Sequence, residues 1–335
     1  MNPKNILKLR SRLLSPNSKL ELWLRTQYHR LNKTRLFFKI QDYIARRSYR
    51  YWKREQAKNT PEQSKPTGPK VTFFITCSSN SWSDLVKTLK SIQKIKGDSW
   101  EAILLRSQKE VERQLKQDNL LGQRVIIPPK TTSNLLDIIS GAYVLFCQAG
   151  DQFFPHLLQH FYQHLDEKNP VDWTYYDCEY LLPGSRDIQP LFKPATLSPA
   201  LLLSVNILSR SLVRREFITQ NLSTISFDDD IESLEYYLSI RLCEMGGNYQ
   251  HIPQVLVTQT SLVTPDTPKK VGVLCQHLRR SGLDHVSAVS KQHGLRFTWR
   301  TGDPSVAIVI PTKNNRPLLE TCLASLGVQQ NQTAF

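Results

Sequence analysis

Polar side chains that could bind a ligand follow three predicted strands, in the turns 76–80, 106–108 and 148–151. Asp151 is the single carboxylate in these three turns. A divalent cation prefers several anionic oxygens, so one carboxylate beside the neutral amide of Gln148 is a poor ligand set. Asp151 could equally cap the helix that is predicted to follow it. The turns therefore point to a ligand site but leave the role of Asp151 open.

The elements that position these turns are strands and helices that alternate along the chain. Such alternation predicts a parallel sheet covered on both faces, in which ligands bind beyond the carboxyl ends of the strands. The three turns are thus expected to share one edge of the sheet. The predicted strands are 71–75, 100–105, 124–127, 142–147 and 251–257, and the predicted helices are 84–96, 110–119, 133–140, 231–245 and 271–282, the last one followed by a short connector.

One pattern of apolar residues occurs twice along the chain. Val71, Phe73 and Ile75 stand opposite Val306, Ile308 and Ile310, and both copies predict a buried strand, a polar turn and the start of a helix. A repeat at the spacing of a whole domain predicts one complete domain between the copies and the opening of a second. Because the sequence holds only 30 residues from Val306 onward, the second domain is predicted to be truncated.

Three further motifs carry a family resemblance. Pro-Thr-Lys-Asn-Asn at 311–315 follows the second copy of the strand, and Phe-Lys-Pro at 192–194 precedes Ser-Pro-Ala-Leu-Leu at 198–202. Asp-Trp-Thr-Tyr-Tyr-Asp-Cys-Glu at 172–179 looks like a strand that ends in Tyr-x-Asp-x-Asp. These motifs resemble family 2 glycosyltransferases. The resemblance covers about residues 70–326 and implies a nucleotide-sugar-transferase-like (A-type) three-layer α/β fold with a mostly parallel central sheet.

The resemblance also implies a nucleotide-sugar donor and a glycan or lipid-linked acceptor as partners. A divalent metal, Mg²⁺ or Mn²⁺, is expected for the family, and Asp151 is the one acidic position of its metal motif that remains here. Thr76 stands where the family has the proline of its first turn, which weakens the match. The donor-binding positions that the resemblance implies are Thr76, Cys77, Asn80, Asp151, Lys193, Pro311 and Thr312.

Glu235 is the candidate general base. In the family an acidic residue near the start of a late helix removes the proton of the acceptor hydroxyl, and Glu235 lies at the matching position of the predicted helix 231–245. A carboxylate suits this role if it is held close to the acceptor and partly desolvated. The alternatives are that Glu235 pairs with a residue one turn away or faces water.

The positive charge of the chain is concentrated at its start. Of the formal net charge of +15, residues 1–58 contribute 16 Lys and Arg against 3 Asp and Glu. Apolar and basic residues recur there at helical spacing, which predicts a basic helical arm before the fold. Such an arm could lie on an anionic membrane surface or pack on the domain as a hairpin. Nucleic acid is not predicted as a partner, because no base-reading motif follows the arm.

Cysteine spacing and hydropathy bear on where the protein is found. The six cysteines are widely spaced and form no C-x-x-C pair, so neither a zinc site nor a disulfide framework is predicted. The sequence has no stretch of 18 apolar residues, so no membrane-spanning helix is predicted. The predicted location is the cytoplasm, with peripheral attachment to the inner face of the plasma membrane as an extension of that prediction.

The predicted organisation is a basic arm at 1–58, a linker at 59–70, a degenerate glycosyltransferase-like domain at 71–262, a helical bridge at 263–303 and a truncated start of a second domain at 304–335. The first functional hypothesis is sugar transfer in cell-surface polysaccharide biosynthesis. The alternative is a catalytically inactive binding domain, or a truncated product whose catalytic second domain is missing.

Overall fold

The structure is a computed structural model. It describes residues 45, 47–55, 66–77, 82–105, 113, 115–117, 123–166, 168–181, 188–198, 201, 206–226, 229–260, 268–291, 294–300, 307–313 and 315–328.

Eleven strands and six α-helices of the fold have the following bounds within the described residues. The strands are β1 Val71–Thr76, β2 Trp100–Leu105, β3 Val125–Ile126, β4 Tyr143–Gln148, β5 Gln152–Phe153, β6 Trp173–Leu181, β7 Ile188–Leu191, β8 Leu212–Arg214, β9 Tyr249–Gln259, β10 Val286–Lys291 and β11 Gly294–Trp299. The helices are α1 Trp82–Gln93, α2 Leu157–His164, α3 Arg215–Asn221, α4 Ile231–Glu244, α5 Pro268–Arg280 and α6 Arg316–Val328. A short 3-10 helix spans Leu135–Ile138, and residues 47–55 are also helical.

The central sheet has the strand order β3-β2-β1-β4-β8-β6-β9-β5, and β7 pairs with β6. β1 runs parallel to both β2 and β4, and β6 runs parallel to β9. β8 lies antiparallel between β4 and β6, so β1 to β4, β6 and β9 all point in one direction. The predicted mostly parallel central sheet of an α/β fold is confirmed.

Two hydrophobic layers cover the two faces of the sheet. Successive side chains of a strand point to opposite faces, and β1 is apolar on both. Phe73 packs in the layer that contains Leu89 of α1, whereas Phe74 packs in the layer that contains Leu238 of α4. The sheet is therefore the middle of three layers, and its carboxyl edge is left for polar groups.

Two segments between the copies of the repeat differ from their predicted structure. The helix predicted at 133–140 is the 3-10 helix, which Asn134 caps by accepting a hydrogen bond from the Leu136 backbone N–H at 3.1 Å. The connector predicted after α5 contains the hairpin β10–β11. Val286 and Ala288 of β10 are buried and alternate with exposed residues, a period-2 pattern that indicates a strand.

The second copy of the repeat does not form the predicted buried strand within its described residues. Residues 307–310 lie in no strand, and Ile308 and Val309 are 44% and 88% exposed. Strands are stabilised by pairing and by a buried face, and none of the described strands pairs with this segment. The helix that follows is present as α6.

The end of the basic arm packs on the fold. Trp52 contacts the ring of Phe192 edge-on, and the Lys53 ammonium donates to Glu179 of β6 at 2.8 Å. The hydroxyl of Tyr49 donates to the same buried carboxylate at 2.5 Å. Residues 1–44 lie outside the described residues, so their membrane contact stays a prediction. In the part of the chain that is described, no helix is both long and apolar enough to cross a bilayer.

Candidate functional site

The turn after β4 holds Asp151 in a buried position. Gly150 adopts a φ of +107°, and a Cβ atom there would lie 2.3 Å from the Thr260 side chain, so the turn requires glycine. One oxygen of Asp151 accepts the Gln148 backbone N–H at 2.9 Å, and the other accepts the Thr260 backbone N–H at 3.3 Å. The carboxylate thus closes its own turn and ties it to the end of β9.

Arg210 lies directly against this carboxylate. Its side chain is 3% exposed, and its Nε donates to Asp151 at 2.5 Å. The other two guanidinium nitrogens reach carboxylates of α4, Glu235 at 3.5 Å and Glu232 at 3.3 Å. Three acidic side chains from two parts of the chain therefore surround one guanidinium.

The backbone of Arg210 is held in a conformation that non-glycine residues rarely adopt. Its φ is +58°, in the left-handed region, which costs about 1–2 kcal/mol. The same residue donates its backbone N–H to Glu235 at 2.7 Å. Because main chain and side chain of Arg210 both bind Glu235, the carboxylate contacts offset the strain and fix the direction of the guanidinium.

Glu235 is fully buried, so the alternative that its side chain faces water is wrong. Burial raises the pKa of Glu235, and the neighbouring Arg210 only partly opposes this, so the pKa is about 7. For Glu232, burial also acts to raise the pKa, but Arg210 and Lys270 outweigh it and the pKa is lowered. Two carboxylates on one helix therefore hold their protons with different strength.

Two more side chains complete the site. The buried ammonium of Lys270 in α5 donates to Glu232 at 2.8 Å, and the amide of Gln148 at the end of β4 donates to the other oxygen of Glu232. These contacts join β4, α4 and α5. We call this set the Arg210 cluster; its members are Gln148, Asp151, Arg210, Glu232, Glu235 and Lys270.

Lys193 lies beside the cluster without joining it. Its ammonium donates to the backbone carbonyl of Ser209 at 3.3 Å, and its backbone N–H donates to Asp177 at 2.8 Å. Burial lowers the pKa of Lys193. Asp177 also contacts the His251 ring at 2.9 Å.

The remaining predicted donor-binding residues fall in different places. Thr76 ends β1 beside Gln148 of β4, so this position does reach the edge where the cluster lies. Cys77 follows it, and burial raises the pKa of its thiol to about 11. Asn80 lies outside the described residues. Pro311 and Thr312 are exposed in the segment before α6, and no described contact joins them to the cluster.

The residues present do not fit the divalent metal expected from the resemblance. A hard cation needs free carboxylate oxygens, but those of Asp151, Glu232 and Glu235 already accept hydrogen bonds from Arg210 and its neighbours. With Arg210 in place, no three His, Cys, Asp or Glu side chains among the described residues are grouped so that they could hold a metal ion. The cation at this position is an arginine.

Sequence reasoning missed Arg210 and Lys270. A signal for the first was available, because Arg210 lies between two apolar pairs, at 207–208 and 212–213. A charge in a buried segment must be paired, so an acidic partner elsewhere could have been inferred. Which carboxylates those are could not, since Asp151 and Glu235 are distant from Arg210 in sequence.

Comparisons with known proteins give one sequence relative and several partial structural matches. No family model matches the chain. The O-antigen biosynthesis protein RfbC of Myxococcus xanthus is 30% identical over 208 residues, which amount to 58% of this chain and 16% of that protein. The chain therefore corresponds to a small part of that relative's length.

The solved structures resemble the chain over about two thirds of its length. S. aureus TarS 1–349 aligns with a TM-score of 0.46 at 15% identity, covering 63% of this chain and 64% of that one. The mannosyltransferase PcManGT from Pyrobaculum calidifontis, in complex with GDP-Man and Mn²⁺, aligns with a TM-score of 0.42 at 12% identity, covering 72% and 73%. The fold described above rests on its own strand order and not on these partial superpositions.

Proposed function

We propose that this chain is a family 2-type glycosyltransferase that transfers a sugar from a nucleotide-sugar donor to a glycan or lipid-linked acceptor in cell-surface polysaccharide biosynthesis. The observation that carries the proposal is the meeting of Asp151 and Glu235 on Arg210, at the end of β4. Ligands of parallel sheets bind at such an edge. The relative named for O-antigen biosynthesis supports the choice of pathway.

In this proposal Glu235 is the base of a direct displacement. The acceptor oxygen attacks the sugar carbon, the nucleoside diphosphate leaves, and the acceptor proton passes to Glu235. A pKa of about 7 suits proton transfer near neutral pH. Because the described conformation buries Glu235 and bonds it to Arg210, the acceptor hydroxyl can reach it only when these contacts open.

The second candidate function is binding without transfer. It is favoured by the same contacts, since Asp151 and Glu235 are both paired with Arg210 and neither faces solvent. In that case the domain binds a sugar nucleotide or a glycan, and transfer depends on a catalytic domain outside this sequence.

Turnover and binding, measured on the same preparation, separate the two functions. The full chain is incubated with UDP- and GDP-sugars and an acceptor glycan, release of the nucleoside diphosphate is recorded, and donor binding is measured by calorimetry. Transfer is expected with saturable donor binding. Binding without turnover selects the second candidate, and absence of binding to every nucleotide sugar contradicts both.

A pair of variants on α4 tests the role of Glu235. Glu235→Gln is expected to lower turnover by roughly 10²-fold or more while donor binding is kept, because the amide cannot accept the proton. The matched control is Glu244→Gln on the same helix, whose carboxylate pairs with His277 and Arg280 away from the cluster. Equal losses in both variants would show that Glu235 has no special role.

We also propose a cytoplasmic location with the arm on the inner membrane face. The excess of basic residues in 1–58 supports attraction to anionic lipid. Because residues 47–55 pack on the fold, the sharper deletion removes 1–44 only. Sedimentation with phosphatidylserine vesicles should be salt-sensitive and should disappear in this deletion; vesicle binding that survives it assigns the contact to another surface.

A further inference from the structure

We propose that the guanidinium of Arg210 is the resident cation of the candidate site and takes the place of a divalent metal. Arg210 is then a positioning residue, which holds Asp151, Glu232 and Glu235 in their mutual arrangement. One consequence rests on the proposed function: donor binding needs neither Mg²⁺ nor Mn²⁺.

The guanidinium of Arg210 contacts three carboxylates at once. Each of its three nitrogens reaches a different carboxylate: Nε to Asp151 at 2.5 Å, one terminal nitrogen to Glu235 at 3.5 Å and the other to Glu232 at 3.3 Å. The backbone N–H of Arg210 adds a further bond to Glu235 at 2.7 Å. One residue thereby connects the turn after β4 to two consecutive turns of α4.

The cluster carries its own basic groups. The guanidinium of Arg210 and the ammonium of Lys270 bond to its carboxylates, and burial favours the protonated form of Glu235. A guanidinium stays protonated at any pH at which the protein is folded. Unlike a metal, it cannot dissociate, so the carboxylates remain compensated when divalent cations are removed.

Burial makes an exchange of Arg210 for a metal ion unfavourable. Asp151 and Glu235 are inaccessible to water, and the Arg210 side chain is 3% exposed. A metal entering this set would have to displace a covalently attached cation and leave it without its partners, which is costly in a buried site.

Removing the guanidinium should therefore convert the cluster into a metal site. In Arg210→Ala the three carboxylates lose the cation that they share and gain the space of the lost side chain. A doubly charged hard ion supplies the charge that is then missing, and carboxylate oxygens are its preferred ligands. The prediction is a gain of Mn²⁺ binding on loss of a cation.

The test is a titration of Mn²⁺ alone into the full chain, followed by electron paramagnetic resonance of the free ion. The wild type is expected to bind Mn²⁺ only weakly, and Arg210→Ala is expected to bind it at least about tenfold more tightly. The double variant Arg210→Ala, Glu232→Gln should lose most of that gain in Mn²⁺ binding, because a neutral amide replaces the Glu232 carboxylate.

Two controls keep the result interpretable. Arg214→Ala removes an arginine from the partly exposed pairs with Asp172 and Glu216 and should create no Mn²⁺ site. Arg210→Lys keeps a positive charge and should bind no more Mn²⁺ than the wild type does. This variant also serves if the alanine variant does not fold, because tight Mn²⁺ binding by it or by the wild type would overturn the proposal.

Donor binding supplies an independent readout. Calorimetry of UDP- and GDP-sugars with the wild type should give the same donor affinity, within roughly twofold, in excess EDTA as in Mn²⁺. Affinity that appears only with Mn²⁺ overturns the inference while leaving the proposed function intact. If no donor binds, the proposed function fails, whereas the Mn²⁺ titrations of wild type and variants still decide the role of Arg210.

Discussion

The two edges of the parallel sheet each bury a glutamate, and the two glutamates behave in opposite ways. At the amino edge, Glu101 of β2 accepts hydrogen bonds from Thr72 at 2.6 Å and from the Ser140 hydroxyl at 2.6 Å, and it pairs with Lys70 at 2.6 Å. Burial acts to raise the pKa of Glu101, but these donors outweigh it and lower the pKa to about 2. At the carboxyl edge, the pKa of Glu235 is raised to about 7.

The difference in pKa follows from the number of hydrogen-bond donors that bind each carboxylate and no other. Glu101 accepts hydrogen bonds from the neighbouring side chains named above. Gly141, which has no Cβ, lets its backbone N–H donate to Thr72. Glu235 shares its guanidinium with two other carboxylates. The amino edge is therefore a satisfied structural contact, whereas the carboxyl edge keeps a strained arginine and a carboxylate that titrates near neutrality, which are features of functional sites.

The largest expected contrast between the two edges comes from removing their cations. Arg210→Ala should lower the free energy of unfolding by about 3–5 kcal/mol, because it leaves buried carboxylates without a partner. Lys70→Ala should cost only about 1 kcal/mol or less, since Lys70 is 44% exposed and Glu101 keeps its other donors. Urea denaturation at pH 7 measures both. Equal losses would mean that the Arg210 cluster is no more tightly coupled than the amino edge.

A smaller effect is expected from neutralising Glu101. Glu101→Gln should cost about 1–3 kcal/mol at pH 7, because an amide cannot accept all the hydrogen bonds of the carboxylate. The lowered pKa of Glu101 stabilises the fold above the unfolded value near 4.5, and this contribution is lost as the pH falls towards 2. The difference between wild type and variant should therefore shrink below pH 4; a difference that does not depend on pH would contradict the account.

The smallest effect, and one of opposite sign, is expected at Glu235. Its raised pKa means that the folded state binds the proton more tightly than the unfolded state, so stability falls as the pH rises from about 4.5 through about 7. Glu235→Gln removes this dependence. Between pH 5 and pH 8 the variant should gain about 1 kcal/mol or more relative to the wild type. A gain of the wild type over the same range would reverse the comparison of the two edges.

Much of the fold was predictable from the order of residues. β2 was predicted at 100–105 and is observed at Trp100–Leu105, because an apolar run of that length between polar segments has few other structures open to it. α4 was predicted at 231–245 and ends one residue earlier. The hairpin β10–β11 was missed because its alternation is short and its apolar side is small.

The candidate site was predictable only in part. Asp151 and Glu235 were selected by resemblance, and both are members of the cluster. Their common partner was not predicted, because nothing local in the sequence brings Arg210 to either of them. That contact depends on the place of β8 between β4 and β6, which sets Arg210, two residues before β8, beside the end of β4.

The sequence by itself determined the alternating strands and helices, the apolar strand β1 and the position of single charges within buried runs. Only the tertiary structure decided what those features became. The two copies of the repeat share one pattern, yet β1 is buried between β2 and β4 while residues 307–309 are exposed and residues 307–310 form no strand. Likewise, only the packing of β4, β8 and α4 turned three separate acids and one arginine into a cluster. Periodicity is local, whereas the pairing of strands and of buried charges depends on residues that are distant along the chain.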